Sequence, residues 1–408
     1  MACVCHRLSI DLIGSKQEGR PMRLLVEKGK VYAARYLLMV MGLFLKSEKK
    51  AIFNSFSGKQ YSDSPRAISE KLHELYPDYK IVWVWNQKED IYGVIPDYVK
   101  TVRSGTWEYY KEFATSCAFA CNIAMIPCFY KRKDQFFIQT WHGDRAFKRV
   151  LYEAAKDDGE KPWVPITDRR DTDLCIAGSQ GGIARIRRSF LYEGEILALG
   201  MPRNDKLVIR DPENEKKVRQ RLGLEEGTKV FLYAPTFRDN SSDDQDVFVD
   251  LHEVIAHLEQ TGQKWACLIR SHSLVGNLRY DYDGKKFINV SRYPDMADLL
   301  AIADFLMTDY SSSAGDYVLR RKPLILAAFD KEMYIKNCRR FAIDIEEPGF
   351  IVAKSQEELI RILDEYTPED YAASCEKVLR FYGEQETGKS AEAVCHRIDA
   401  FYRSLGRE

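Results

Sequence analysis

Short apolar runs of strand length recur along this chain, each followed by a polar turn and then by residues spaced as in a helix. Ala51-Ile-Phe53, Lys80-Ile-Val-Trp-Val-Trp85, Ala118-Phe-Ala-Cys-Asn-Ile123, Gln135 to Thr140 and Leu174-Cys-Ile-Ala177 make a first series, with a helix expected over Pro65 to Tyr76. A turn-rich stretch, Gly200-Met-Pro-Arg-Asn-Asp205, and the charged segment Arg210 to Arg221 interrupt it. A second series then runs through Lys229 to Ala234, Trp265 to Ile269, Phe287 to Val290, Phe305 to Met307 and Pro323 to Leu326, with a helix over Val249 to Glu259 between its first two runs. Alternation at this spacing predicts βαβ units and mostly parallel sheets. The fold class expected is therefore α/β, with two Rossmann-like domains facing a central cleft. Residues 1–50 read as a basic and apolar N-terminal segment, 51–205 as one domain, and 206–408 as the other with terminal helices.

Lys+Arg and Asp+Glu both total 61 among 408 residues, so no global field recruits nucleic acid. The charge is uneven, however. Residues 16–50 hold nine Lys or Arg against three Glu, around the apolar run Tyr36-Leu-Leu-Met-Val-Met-Gly-Leu-Phe-Leu45. That run is shorter than the ~20 residues a membrane span needs. It reads as an interfacial helix on an anionic membrane surface, the alternative being a domain helix with snorkelling lysines. No small-residue cleavage site follows it, so a signal peptide is not expected. The ten cysteines are scattered without paired Cys-x2-Cys spacing. Neither zinc nor any other metal or cofactor is expected, and a reducing, cytoplasmic setting is.

Three polar clusters follow predicted strands. Gln139-Thr-Trp-His-Gly-Asp-Arg145 comes after Phe136-Phe-Ile138, Arg270-Ser-His272 after Trp265 to Ile269, and Thr308-Asp-Tyr-Ser-Ser-Ser313 with Asp316 after Phe305 to Met307. In open α/β sheets ligands bind at the carboxyl ends of strands. His142 on a tight His-Gly turn can accept a proton at neutral pH. Asp144, Arg145, Lys148 and Arg149 crowd close behind it. Arg270 beside His272 suits a diphosphate, because a guanidinium fork matches phosphate oxygens. Ser311 to Ser313 fit a helix start, where backbone N–H groups hold phosphate. Two proline-shaped turns present Arg203 and, beyond Pro235, Thr236 and Arg238. No Walker loop, dinucleotide fingerprint or Gly-x-Ser-x-Gly elbow is present, and no carboxylate pair indicates an obligatory Mg2+.

Taken together, these motifs resemble the CDP-glycerol glycerophosphotransferase family, the teichoic-acid primases and polymerases. The resemblance covers residues 130–360. It rests on Gln139-Thr-Trp-His-Gly143, Gly200 to Asp205, Tyr233-Ala-Pro-Thr236, Arg270-Ser-His272, and Thr308-Asp-Tyr-Ser-Ser312 with Asp316, and then on Arg340-Phe-Ala-Ile-Asp344 and Pro348-Gly349. It implies a GT-B architecture, with an acceptor domain over 51–205 and a CDP-donor domain over 206–408. The implied reaction moves a polyol phosphate, glycerol phosphate foremost, from a CDP-polyol to a hydroxyl of a lipid-linked or glycan acceptor and releases CMP. It implies His142 as general base and His272 as its partner at the diphosphate, with Arg203, Pro235, Thr236, Arg270, Ser311, Ser312 and Asp316 on the donor. Gly143, Asp144, Arg145, Arg238 and Ser271 complete the substrate-binding set expected. The implied place is peripheral, on the cytoplasmic face of the cell membrane. The chain departs from the usual Thr-Pro-Leu after His-Gly, having Asp144-Arg145-Ala146. A nucleotide-sugar glycosyltransferase and a non-catalytic membrane-associated scaffold are the alternatives. Donor profiling separates them: release of CMP, release of UDP or GDP, or no turnover.

Overall fold

The computed structural model describes residues 20–124, 130–157, 169–236, 238, 249–271, 280–338 and 340–406, except the side chains of 20–28, 30, 31 and 337. His272 lies outside them. The described residues form an α/β fold with two parallel sheets. The first is built from β1 (Glu48–Asn54), β2 (Lys80–Val84), β3 (Val99–Val102), β4 (Ser116–Cys121), β5 (Phe136–Gln139), β6 (Leu174–Ile176) and β7 (Glu195–Leu197). Its spatial order is β3-β2-β1-β4-β5-β6-β7. The second is built from β8 (Lys229–Ala234), β9 (Trp265–Ile269), β10 (Phe287–Asn289), β11 (Phe305–Thr308), β12 (Leu324–Ala327) and β13 (Val352–Ala353). Its order, β10-β9-β8-β11-β12-β13, repeats that of the first six strands.

In both sheets the strand order therefore reverses at one place, between β1 and β4 and again between β8 and β11, the place where open α/β sheets form a crevice at the strands' carboxyl ends. The strands are near-continuous apolar runs because both of their faces are covered. Phe53, Trp83 and Ile138 look into one layer of the first sheet, and Ile52, Val82 and Phe137 into the other. Edge strands β3, β7 and β13 escaped the sequence reading, β3 and β7 being short and only partly apolar and β13 only two residues long.

Three helices matter to the site. Helix α1 (Arg20–Phe44) contains the apolar run expected to lie at an interface. It buries Leu38 and Met41 against the first sheet and leaves Tyr36, Leu43 and Phe44 outward, at 65%, 76% and 81% exposure. No helix among the described residues is long and apolar enough to cross a membrane. Helix α2 (Asp63–Leu75) follows β1. The last helix, α3 (Ser390–Ser404), returns to the first sheet, where Val394, Ile398 and Tyr402 form a stripe at four-residue spacing. Each such buried side chain contributes about 1.5–3 kcal/mol. A residue in the left-handed region, Gly383 (φ 63°), ends the preceding helix. The link 383–389 then runs along the first half, with Gln385 N–H donating to Gly178 O and Thr387 N–H to Leu199 O.

Candidate active site

The first crevice is organised by Asn122, the residue directly after β4. Its buried side chain accepts the Phe56 N–H at 2.9 Å and donates to Ser55 Oγ at 3.2 Å. Phe56, Ser57 and Gly58 all have positive φ, 46°, 59° and 74°. For Phe56 and Ser57 that is a strained conformation, kept only where surroundings over-determine it. Gly58 has no freedom to change, because a Cβ there would come within 2.7 Å of Asn86 Nδ2 and 2.9 Å of Val84 O.

Asn122 also fixes the imidazole. Its backbone carbonyl lies 2.6 Å from His142 Nδ1. A carbonyl oxygen only accepts, so Nδ1 carries the proton and, in the neutral ring, Nε2 carries the lone pair. Phe56 and Trp141 flank the ring at centroid distances of 5.5 and 4.3 Å. Trp141 itself has φ 53°, held by Gln139 Oε1 accepting its N–H at 2.9 Å. The half-buried His142 is thus set at a defined tautomer and angle.

Gly143 brings the two halves together. A Cβ at this position would stand 3.3 Å from both Cβ and Oγ of Ser312. The hydroxyl turn of the second half therefore abuts the histidine turn of the first. In that turn Ser313 N–H and Oγ both donate to Ser311 Oγ, at 3.3 and 3.0 Å. The helix that follows, Ser313–Tyr317, is only five residues long, so hydroxyls and local N–H groups outweigh any helix dipole there.

Asp144 and Arg145, expected beside the substrate, are instead buried. Asp144 accepts the Gly178 N–H at 2.9 Å and the Ser179 hydroxyl. Arg145, at 0% exposure, donates to Gly315 O, Gly178 O and Glu386 Oε1 at 2.6, 3.0 and 2.7 Å. Arg203 and Asp316, both expected on the donor, grip each other through two parallel bonds of 2.9 and 3.1 Å. Asn204 ties this pair to Glu386, donating to Asp316 Oδ1 and Glu386 Oε1 at 3.0 and 2.9 Å. Burial pushes the Glu386 carboxyl up to about 7 despite the Arg145 guanidinium. These residues make a buried clasp between the halves. Glu386 and Asn122 were not singled out from the sequence. Glu386 lies in a link between helices, and its importance depends on partners about 180 to 240 positions away.

The second crevice is organised by Asp309, directly after β11. It accepts the Thr236 N–H at 2.8 Å and the Thr236 hydroxyl, and pairs with Arg238 at 2.8 Å. Arg238 also meets Asp330 at 2.7 Å and lies over the rings of Tyr310 and Tyr334. Pro235, half-buried, makes the bend into Thr236. At the end of β9, Ser271 donates from both N–H and Oγ to Ser291 Oγ, at 3.0 and 2.8 Å. Arg270 beside it is half-buried, and its Nη1, which is buried, has no hydrogen-bond partner among the described residues. Burial drives its cation down to about 10.

Paired parallel sheets, each with a strand reversal, define a two-sheet α/β protein whose halves meet at the turns of Gly143 and Ser312. Residues 36–400 match the family of CDP-glycerol:poly(glycerophosphate) glycerophosphotransferases, and the chain belongs to that family. It is 31% identical over 373 residues to the teichoic acid poly(glycerol phosphate) polymerase of Staphylococcus epidermidis, covering 85% of this chain and 50% of that protein. It is 27% identical over 375 residues to the teichoic acid glycerol-phosphate transferase of Staphylococcus aureus, covering 87% and 94% of the two. The chain spans about half the length of the first two curated relatives it matches. A solved structure of the wall teichoic acid polymerase TagF superposes with a TM-score of 0.77 at 25% identity, over 93% of this chain and 96% of that one.

Proposed function

We propose that this chain is a CDP-polyol phosphotransferase of GT-B architecture, with CDP-glycerol the foremost donor, working in the synthesis of a teichoic-acid-like polymer. One observation carries the reading. The His142 imidazole has its Nδ1 proton committed to a backbone carbonyl, on a turn that abuts the hydroxyl turn of the second half. A base of the first half then faces an anion-binding surface of the second.

The acceptor hydroxyl attacks the β-phosphorus of the donor, His142 Nε2 takes its proton, and the bond to the bridging oxygen breaks with CMP leaving. Such a transfer depends on positioning and electrostatics and needs no covalent enzyme intermediate. Arg270 and the Ser311–Ser312 hydroxyls stabilise the diphosphate. Thr236 and Arg238, held by Asp309, stand on the nucleotide side. Asp144, Arg145, Arg203 and Asp316 fix the relative placement of the halves. The outward face of α1, with Tyr36, Leu43 and Phe44, docks peripherally on the inner membrane surface, where a lipid-linked acceptor is met.

The test supplies CDP-glycerol or CDP-ribitol with a lipid-linked disaccharide and measures CMP. Release with one donor is expected, falling by about a hundredfold or more in His142→Ala. No release with either donor, or a variant within about threefold of wild type, overturns the reading.

A further inference from the structure

Beside Arg270 lies a charge cluster that joins the halves and that neither motif nor family reading singles out. Arg66, from α2 of the first half, reaches across with one nitrogen, Nη1, to Asp298 at 2.8 Å and Asp295 at 3.1 Å. Both carboxylates belong to the second half. Lys206 Nζ pairs with Asp298 at 2.7 Å and lies 3.5 Å from Asp295. Tyr293 and Asn214 complete Asp298, donating at 3.2 and 3.1 Å. Burial favours the neutral form of Asp298, yet Lys206 and Arg66 overcome it and hold the carboxyl far below its usual range.

Arg66, Lys206 and Arg270 are three cations facing three carboxylates, Asp295, Asp298 and, at the rim, Glu70, which takes the Arg66 Nε at 2.9 Å. The pairing is uneven: Arg66 and Lys206 share all three, and Arg270 is the cation that none of them pairs. Asp295 is the charge that most favours its ionised form, so the two are electrostatic neighbours. Among the described residues, however, no ion pair joins Arg270 to either carboxylate, and its Nη1 has no partner. A guanidinium nitrogen that is buried without a partner is costly unless an anion completes it. The first half also covers this corner through Tyr92, whose ring lies 5.2 Å from that of Tyr293.

We infer that Arg66 is a positioning residue for donor binding: by occupying Asp295 and Asp298 it keeps Arg270 unpaired to receive the diphosphate of a nucleotide donor. The inference rests on the donor reading given above. Arg66 touches no donor in this scheme. Without it, Asp295 loses its closest cation and draws Arg270 into an internal ion pair, in competition with phosphate. Engagement of Arg66 from the first half thereby makes the diphosphate subsite of the second half available.

Calorimetric titration of the purified chain with inorganic pyrophosphate, and separately with CDP-glycerol and CDP-ribitol, tests this. Arg66→Met is expected to weaken pyrophosphate binding by about tenfold or more. Adding Asp295→Asn to Arg66→Met removes the competing carboxylate and restores most of that affinity. A merely structural staple predicts the opposite, since the double variant loses one contact more. Thermal unfolding of each variant checks folding, and Arg66→Lys, which keeps the charge on a shorter reach, serves if the methionine variant does not fold. It is expected to weaken binding by an intermediate factor and to be rescued in the same way. Affinity within about twofold of wild type in the Arg66 variants, no rescue, or no pyrophosphate binding by the wild type overturns the inference. Pyrophosphate binding with the expected pattern, but without binding of either CDP-polyol, supports the inference and overturns the choice of donor.

Discussion

Asn122 and Asp309 occupy the same place in the two sheets. Each is the residue directly after the strand beyond the reversal, β4 or β11, and each accepts the N–H of the second residue after the central strand, Phe56 or Thr236. They differ in one side-chain group, an amide against a carboxylate, and the two crevices diverge from there. The amide donates onward to Ser55, and its residue's carbonyl holds His142, with no charge at the hub. The carboxylate takes a guanidinium, Arg238, which overcomes its own desolvation and is held firmly ionised by Asp309 and Asp330. In the proposed reaction a base that must begin neutral is served by a neutral hub, because a nearby carboxylate favours the imidazolium. The proposed anion site is served by a hub that anchors a cation. One architecture therefore yields two polarities.

The strongest way to break this comparison is to make the hubs alike. Asn122→Asp places a carboxylate within one residue's reach of the imidazole and removes the donor to Ser55. Turnover at neutral pH is expected to fall about tenfold, with the acidic limb of the rate profile displaced upward by about one pH unit. A profile that loses height without moving breaks the electrostatic half of the comparison and leaves only geometry. The reciprocal change is milder. Asp309→Asn keeps an acceptor for Thr236 and leaves Arg238 with Asp330. The KM for donor is expected to rise about three- to tenfold with kcat little altered, consistent with loss of one charged hydrogen bond. An equal fall in kcat would instead place Asp309 close to the reacting phosphorus.

The crevices were legible in the sequence because strand-forming runs end in polar clusters, and the sheet topology carries those clusters to one side. His142, Ser311 and Ser312 were singled out in this way, and in the structure Gly143 stands against Ser312. Direction along a turn was not legible. Asp144 and Arg145 follow the histidine immediately, yet the chain turns them inward to Ser179 and Glu386. Arg203 and Asp316 read as two separate donor contacts and proved to be each other's partner. Arg66 lies in a helix whose existence was clear, but its partners in the second half, Asp295 and Asp298, are over 220 residues away. Pairings of that kind arise only once both sheets exist.

The clasp that keeps the two crevices in register offers the smallest test, one of stability. The folded-state value of the Glu386 carboxyl, about 7, is raised above the ordinary 4.5 by burial. The native state therefore holds this proton more tightly than the unfolded chain does. The corresponding stability is fully present below about pH 4.5 and is lost as pH rises through 7. Glu386→Gln cannot ionise, and its amide loses the oxygen that accepts the Met201 N–H at 2.9 Å. Its Tm is expected to lie a few degrees below that of the wild type at pH 5, with the gap narrowing toward pH 8 as the wild type loses its proton. Thermal unfolding of both proteins across that range measures the gap directly. A constant gap means that the ionised carboxylate is fully compensated by Arg145 and Asn204, and that the clasp holds the two polarities together without sensing pH.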